Sequence, residues 1–276
     1  MNDFLMEMVV SSARRVEVAR KRTPLARPLT AGRHGRLRAA LAAPAAAARE
    51  AGKPAPLAVI AEIKRRSPSK GDIAADLDAV EQARAYEAAG AEAISVLTEP
   101  DRFGGSMADL RAVAAAVDLP VLRKDFIIDP YQIWEAADAG AAAVLLIAAA
   151  LPSGSLGRLL DECHDSGLDA LVEVHDADDL ERAYSVGATM MGVNNRDLRT
   201  LDVDLAVSED LGALIGRCVL FVSESGISAP SDARRVRAAG AQAILVGEAL
   251  VGTPHAHLAA AIASLRGDDR PRGDER

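Results

Sequence analysis

Two lysines stand where a transferable proton would be useful. Only five of the 32 Lys and Arg residues are lysines, and two of these, Lys64 and Lys124, close apolar runs of strand type. An arginine keeps its proton near neutral pH, whereas an ammonium can release one once it is desolvated or set beside another cation. Lys124 ends Val121-Leu122-Arg123-Lys124, and Lys64 ends Val59-Ile60-Ala61-Glu62-Ile63-Lys64. Glu62 is two residues before Lys64, so an extended chain turns both to one side. Other apolar runs end on Glu173, on Asn194 with Arg196, on Glu224 with Ser225, and on the pair Gly247-Glu248. Charged residues are depleted from buried strands. The set therefore reads either as scattered structural ion pairs or as one shared polar site for acid–base chemistry, and a shared site accounts for all of it at once. His175 also ends a run, but a histidine at a strand end is more often a satisfied structural residue, and it is read so here.

The elements that would position these groups follow from a repeat of the form small-small-Gly-Ala-x-small, ahead of an apolar run. Its glycines are Gly90, Gly140, Gly187 and Gly240, spaced about 50 residues apart, or two βα units of about 25. Each glycine follows a helical pattern, where a left-handed residue ends a helix. Apolar runs begin near Leu57, Ala93, Pro120, Ala143, Asp169, Met190, Val219 and Ala243. Most are continuously apolar, as strands buried on both faces should be. Amphipathic stretches at 78–89, 155–166 and 230–239 lie between them, with Asp176 and Ser231-Asp232 as helix-start residues. Eight βα units in this order predict an α/β protein of the (β/α)8 TIM-barrel class. An open doubly wound sheet is the alternative, but its Gly-rich fingerprint after the first strand is missing.

Three segments are expected. Residues 1–56 read as an N-terminal helical extension packed on the barrel, with helices over 2–22 and 36–51 separated at Pro24 and Pro28. Residues 57–266 read as the catalytic barrel, and 267–276 as a charged, disordered tail.

In such a barrel the carboxyl ends of the strands converge on one mouth, and phosphate often binds in the loops after strands seven and eight. Here these loops are Ser223-Glu224-Ser225-Gly226-Ile227 and Val246-Gly247-Glu248-Ala249. Gly226 and Gly247 would let backbone amides approach an anion, or would simply shape tight turns. The formal charge of −8 with no basic tract argues against a nucleic-acid partner. Cys163 and Cys218 suggest two reduced thiols, and His34, His164, His255 and His257 form no ligand pattern, so no metal is expected. No signal-peptide core is seen, and the longest apolar stretch, 141–151, is too short to span a bilayer. A cytoplasmic protein acting on a small phosphorylated molecule is expected, with no membrane partner; the oligomeric state stays open, a monomer included.

These stretches together resemble the indole-3-glycerol phosphate synthase family. The specific matches are Glu62-Ile63-Lys64-Arg65-Arg66-Ser67-Pro68-Ser69 and Arg123-Lys124-Asp125-Phe126. Leu97-Thr98-Glu99 with Phe103-Gly104-Gly105-Ser106, Leu171-Val172-Glu173-Val174-His175, Val193-Asn194-Asn195-Arg196-Asp197-Leu198 and the two phosphate-type loops complete the match, over about residues 57 to 252 in the expected order. The resemblance implies ring closure, decarboxylation and dehydration of an anilino-deoxyribulose phosphate with an ortho carboxylate, without cofactor or metal. It implies Lys124 as the general acid at the carbonyl and Glu173 as an acid–base group in the dehydration. Lys64 would pair with the substrate carboxylate; which lysine serves which proton transfer stays open. Glu62 and Glu224 would hold the lysines charged and oriented, and Asn194 would hold a substrate hydroxyl. Arg196 and Ser67 would support the anionic groups, with Ser225, Gly226, Gly247 and Glu248 around the phosphate. Phe103 and Phe126 would pack near the anilino ring. The sister barrel phosphoribosylanthranilate isomerase would need its own Cys and Asp at strand ends one and five or six, whereas strand one offers Glu62 and Lys64 and Cys163 and Cys218 are misplaced. A non-catalytic barrel would tolerate loss of Lys124 or Glu173, and both are present.

Overall fold

The repeat glycines do what their spacing predicts. Gly90, Gly140, Gly187 and Gly240 have φ of 87, 88, 76 and 101°, left-handed values that cost a residue with a Cβ. Each stops a helix and turns the chain toward a strand. A computed structural model of the chain describes residues 4–26, 35–152 and 154–267. Expectations at residues 1–3, Pro28 and His34, and for the charged tail beyond Gly267, lie outside the described residues.

The strands are β1 (Ala58–Ile63), β2 (Ala93–Leu97), β3 (Val121–Lys124), β4 (Ala143–Ile147), β5 (Asp169–Val174), β6 (Met190–Asn194), β7 (Leu220–Glu224) and β8 (Ala243–Val246). They close into one parallel barrel in the order β1-β8-β7-β6-β5-β4-β3-β2. The open-sheet alternative is thereby excluded. Three strands start one residue later than their apolar runs, at Ala58, Val121 and Leu220 rather than at Leu57, Pro120 and Val219. A short antiparallel pair, Arg66–Ser67 with Gly71–Asp72, decorates the loop after β1.

Among the described residues, eleven α-helices accompany the strands: α1 (Phe4–Arg22), α2 (Arg36–Glu50), α3 (Ala79–Ala88), α4 (Met107–Ala116), α5 (Pro130–Asp138), α6 (Ser155–Asp165), α7 (Ala177–Ser185), α8 (Ala206–Gly212), α9 (Pro230–Ala238), α10 (Glu248–Val251) and α11 (His255–Arg266). Asp78 caps α3 by accepting from Val80 and Glu81 N–H, and Asp176 caps α7 by accepting from Asp179 N–H. At α9 the helix begins on Pro230, and Asp232 reaches back from the first turn to the N–H of Ala229 at 2.9 Å. No helix among the described residues is long and apolar enough to cross a membrane.

Alternation along each strand divides the core in two. Outward residues such as Val59, Ala61, Ile94, Val144, Val172, Met191 and Ile244 pack on the helices. Inward residues such as Ile60, Leu122, Leu145, Leu171, Met190, Val222 and Leu245 fill the barrel. The same period of two carries the polar groups: Ile60 leads to Glu62, Leu122 to Lys124, Leu171 to Glu173, Met190 through Gly192 to Asn194, and Val222 to Glu224. The last inward layer on β1, β3, β5, β6 and β7 is therefore polar.

Helices α1 and α2 pack at opposite ends of the barrel. At the amino end the first inward residues are Ala58, Ala93, Ala143 and Ala243, and the space they leave takes Leu37 and Leu41 of α2. Asp169, the first residue of β5, accepts from the N–H groups of Gly35, Leu37 and Arg38 at 2.6, 2.8 and 3.1 Å. A carboxylate from another element thus satisfies donors that every helix start leaves open. At the mouth, α1 is fastened to the residues that follow Lys124. Arg15 holds the buried Asp125 with two hydrogen bonds of 3.0 and 2.8 Å, and Ser12 Oγ donates to Phe126 O at 2.6 Å. Burial alone would raise the Asp125 carboxyl; Arg123, Arg15 and Thr98 outweigh it and hold it well below the usual range.

Candidate active site

The mouth holds a cleft of about 470 Å³. Lys124, Glu173, Lys64, Glu62, Asn194, Glu224, Ser67, Phe103, Phe126, Arg196, Ser225, Gly226, Gly247 and Glu248 all line it. Five strand ends and six loops thus bring every candidate residue to one space. The roles of these residues are a separate matter, taken up below.

Lys124 sits at the centre of the polar layer. Its Nζ donates to Glu173 Oε2 at 3.0 Å and lies 3.2 Å from Glu224 Oε2. Asn194 Nδ2 donates to the other oxygen of Glu173 at 3.0 Å. Beside this group Lys64 Nζ pairs with Glu62 Oε1 at 2.9 Å. Burial would lower the Lys124 ammonium, but Glu173, Glu224 and Glu62 outweigh it and raise it above its ordinary value. This reverses the expectation that desolvation loosens the proton. The carboxylates keep Lys124 charged, which a general acid requires at neutral pH.

The carboxylates divide. Burial would raise Glu173, yet Lys124, His175 and Asn194 hold it below the usual range. Glu224 goes the other way: burial and the neighbouring Glu173 and Glu62 raise it, against the opposing pull of Lys124. Glu62, Glu173 and Glu224 crowd around Lys124, and Glu224, with no cation besides Lys124 to offset its neighbours, takes up a proton more readily than an ordinary carboxylate. Gly192 on β6 leaves the room: a Cβ there would collide with Glu224 Oε1.

Across from the acids the wall is apolar, formed by Leu97, Leu145, Ile147, Phe103 and Phe126. Phe126 stacks edge-on to Phe4 at 6.2 Å and lies 6.3 Å from Phe103. Phe4 was not expected here. It belongs to the extension, whose pattern says helix but not which end of the barrel that helix crosses. Glu99, also missed, is fully buried and accepts from the N–H groups of Asp101, Arg102 and Phe103 at 3.0, 2.7 and 3.1 Å. It thereby shapes the loop that presents Phe103.

The far side of the cleft is loop backbone and cations. Ser225 has φ of 66°, a left-handed value in a residue that is not glycine, and Gly226 follows at 78°. Asn195 fixes this turn from below: its Nδ2 donates to Glu224 O at 2.9 Å and Ser225 O at 3.0 Å. A side chain at Gly226 would be strained and would collide with Val203, so the turn itself requires glycine there. At Gly247 the φ is ordinary, and the constraint is space: a Cβ would lie 2.6 Å from Glu62 Oε1 and 3.2 Å from Lys64 Nζ. Glu248 pairs through its carboxylate with Lys70 at 2.7 Å and faces Arg196 at 3.7 Å. Arg196 also donates to Leu201 O at 2.9 Å. Ser67 Oγ accepts from Lys70 N–H at 3.2 Å, which folds the β1 loop toward Glu248.

A closed parallel barrel with an acid–base cluster on its last inward layer, an apolar wall opposite and glycine loops after β7 and β8 defines an enzyme of the (β/α)8 class. Comparison with known proteins makes this specific. The family model for indole-3-glycerol phosphate synthase matches residues 5–265. A protein of Nocardioides sp. named indole-3-glycerol phosphate synthase is 57% identical over 194 residues, covering 70% of this chain and 75% of that protein. One of Opitutus terrae with the same name is 46% identical over 272 residues, 96% of this chain and 99% of that protein. A designed cube-shaped protein cage built from fused oligomeric domains shares the fold at a TM-score of 0.55 and 16% identity, over 76% of this chain and 70% of that one. The chain belongs to the indole-3-glycerol phosphate synthase family.

Proposed function

We propose the following division of labour for an enzyme that converts 1-(2-carboxyphenylamino)-1-deoxyribulose 5-phosphate to indole-3-glycerol phosphate, carbon dioxide and water. The observation that carries it is Lys124 held between Glu173 and Glu224 at the mouth of the barrel, facing a wall of phenylalanines. The anilino ring lies on that wall, against Phe103 and Phe126. The ring carbon that bears the carboxylate attacks the ketone, and Lys124 delivers its proton to the ketone oxygen as the carbon–carbon bond forms. The carboxylate leaves as carbon dioxide and returns its bonding pair to the ring system. Glu173 then serves the dehydration of the closed ring, in which the hydroxyl takes up a proton and departs as water while a carbon-bound proton is lost, leaving the aromatic indole. The steps are a carbonyl addition, two heterolyses and the proton transfers that accompany them, which ammonium and carboxylate groups can serve.

The remaining residues position. Lys64, oriented by Glu62, pairs with the substrate carboxylate. Asn194 holds a hydroxyl while keeping Glu173 turned. Glu224 orients Lys124. Ser225, Gly226, Gly247 and the backbone N–H of Glu248 face the phosphate, with Arg196 and Ser67 behind. The Glu248 carboxylate itself repels phosphate, so its side chain serves by tying Lys70 and Arg196 together. Helices α1 and α2 act as an extension of the 57–266 barrel: α2 plugs one end and α1 walls the cleft at the other.

The test is conversion of the substrate by purified chain, followed as carbon dioxide release and indole fluorescence. A chain that binds the substrate but releases neither product is not this enzyme. The phosphate contact is tested in the same assay. Charge-assisted hydrogen bonds are worth roughly 1.5–3 kcal/mol each, so dephosphorylated substrate should bind about 10- to 150-fold more weakly for each one lost. Inorganic phosphate should compete. Equal binding of the two forms would show that the anion does not sit between the β7 and β8 loops. Gly226→Val cannot decide this, because the turn is strained by any side chain.

A further inference from the structure

Glu173 is held from two sides. Lys124 approaches Oε2 from the cleft. Behind, at Oε1, His175 Nε2 stands 3.2 Å away, in ion-pair range but off the line of a good hydrogen bond. His175 does not line the cleft. Its Nδ1 lies 3.6 Å from Asp179 Oδ2, and the same oxygen accepts the His175 backbone N–H at 3.3 Å. Asp179 is buried on the first turn of α7, where its own N–H donates to Asp176. Arg182 faces the other Asp179 oxygen at 3.6 Å and donates to Ala148 O and Leu151 O, which fixes α7 against the turn after β4. The charged groups around the ring are thus Glu173 on β5 and Asp179 on α7, with Asp176 and Arg182 beyond Asp179 and Lys124 beyond Glu173. An imidazole between two buried carboxylates is a cation. Burial lowers it, but Asp179 and Glu173 outweigh that and raise it to about 10.

We propose that His175 is a positioning residue that keeps a fixed positive charge behind Glu173, so that Glu173 stays ionised and aimed when Lys124 gives up its proton. The inference rests on the roles given above to Lys124 and Glu173. While Lys124 is an ammonium, it is the counter-ion of Glu173. Once its proton moves to the substrate, Glu173 is left buried beside a neutral amine. An uncompensated buried carboxylate is strongly disfavoured and would draw a proton itself. A second cation, on the side away from the substrate, removes that tendency without competing for the substrate's own anionic groups. Asp179 makes this possible by holding the imidazole charged, and Arg182 holds Asp179 in place.

Two measurements on the whole chain test it. The first is the pH profile of His175→Asn, which fills the space and keeps a donor without the charge. Removing an opposite charge at this distance should move the acid limb of kcat upward by about one pH unit or more. KM should change little, because the ring does not touch the cleft. An unmoved acid limb, or a loss carried by KM alone, overturns the proposal. The second is the proton NMR titration of the His175 ring in the native protein and in Asp179→Asn. The native ring should not titrate between about pH 5 and 8, and Asp179→Asn should bring its titration toward that window. A native ring that titrates near its ordinary value overturns the proposal even if His175→Asn fails to fold. This readout does not depend on what Glu173 does in catalysis. If Glu173→Gln kept full kcat while the ring remained charged, the reading of Glu173 would be at fault and not the charge behind it.

Discussion

Lys124→Arg should lower kcat by about 100- to 10,000-fold, the range expected for loss of a general acid, and should do so nearly as completely as Lys124→Ala. Arginine preserves the positive charge and can still pair with Glu173 and Glu224. What it cannot do near neutral pH is transfer the proton. The comparison therefore separates electrostatic stabilisation of the ketone oxygen from protonation of it. If charge alone sufficed, Lys124→Arg would retain most of the rate and Lys124→Ala would lose it. Retention of more than about a tenth of the native kcat in the arginine variant would remove the acid role. Substrate affinity, read separately by titration of an unreactive analogue, should change less than kcat, since the carboxylate of the substrate is assigned to Lys64.

The carboxylates around Lys124 sharpen this expectation. Three of them raise the ammonium above its ordinary value, so it is fully charged in the resting protein and a weak acid there. Donation becomes favourable as the ketone oxygen gains negative charge in the transition state and brings a strong acceptor within reach. The proton is thus kept until the reaction calls for it. A lysine loosened by burial alone would lose it to solvent beforehand.

The barrel was legible because two periods ran through the chain together. Glycines at the helix ends recur at the spacing of βα pairs, and the runs between them are apolar on both faces. The strand starts followed to within a residue. The polar layer was legible for the same reason. A charged residue that continues the inward alternation, as Glu62 after Ile60 or Glu224 after Val222, must face the barrel mouth, whatever its role. What the sequence hides is contact between elements far apart in the chain. Phe4 reaches the cleft only because α1 crosses the mouth, and that crossing is set by Arg15 on Asp125, 110 residues away. The cap that Asp169 places on α2 is equally remote. The histidine just after β5 reads as structural from its position, and only the approach of Asp179 from the next helix reveals the second carboxylate that raises its ring. Direction of pKa is a property of such assemblies: Glu173 and Glu224 are the same residue type at equivalent strand ends, and their surroundings move them in opposite directions.

Glu173→Gln should lower kcat by about 100-fold or more while substrate still binds. Glutamine keeps the length and the shape of the side chain. Its oxygen can accept from Lys124 or from Asn194, so the local geometry should survive. The amide has no exchangeable acid proton and is no base, so the dehydration loses its catalyst. The substitution also removes a negative charge beside Lys124, and this predicts a second effect. With one of its three carboxylates gone, the lysine should lose its proton at lower pH than in the native protein, and the alkaline limb of the residual activity should move down. The two effects separate the readings of Glu173. A residue used only to hold substrate would give a raised KM at unchanged kcat. A residue used only to hold Lys124 charged would give the shifted alkaline limb with a nearly native plateau below it. Acid–base work in the dehydration gives a lowered plateau at every pH, together with build-up of a decarboxylated, still hydroxylated intermediate. Rapid quenching and chromatography should detect that intermediate in Glu173→Gln. Carbon dioxide release without indole formation in the first turnover places Glu173 after ring closure, whereas loss of both together would place it at or before the step served by Lys124.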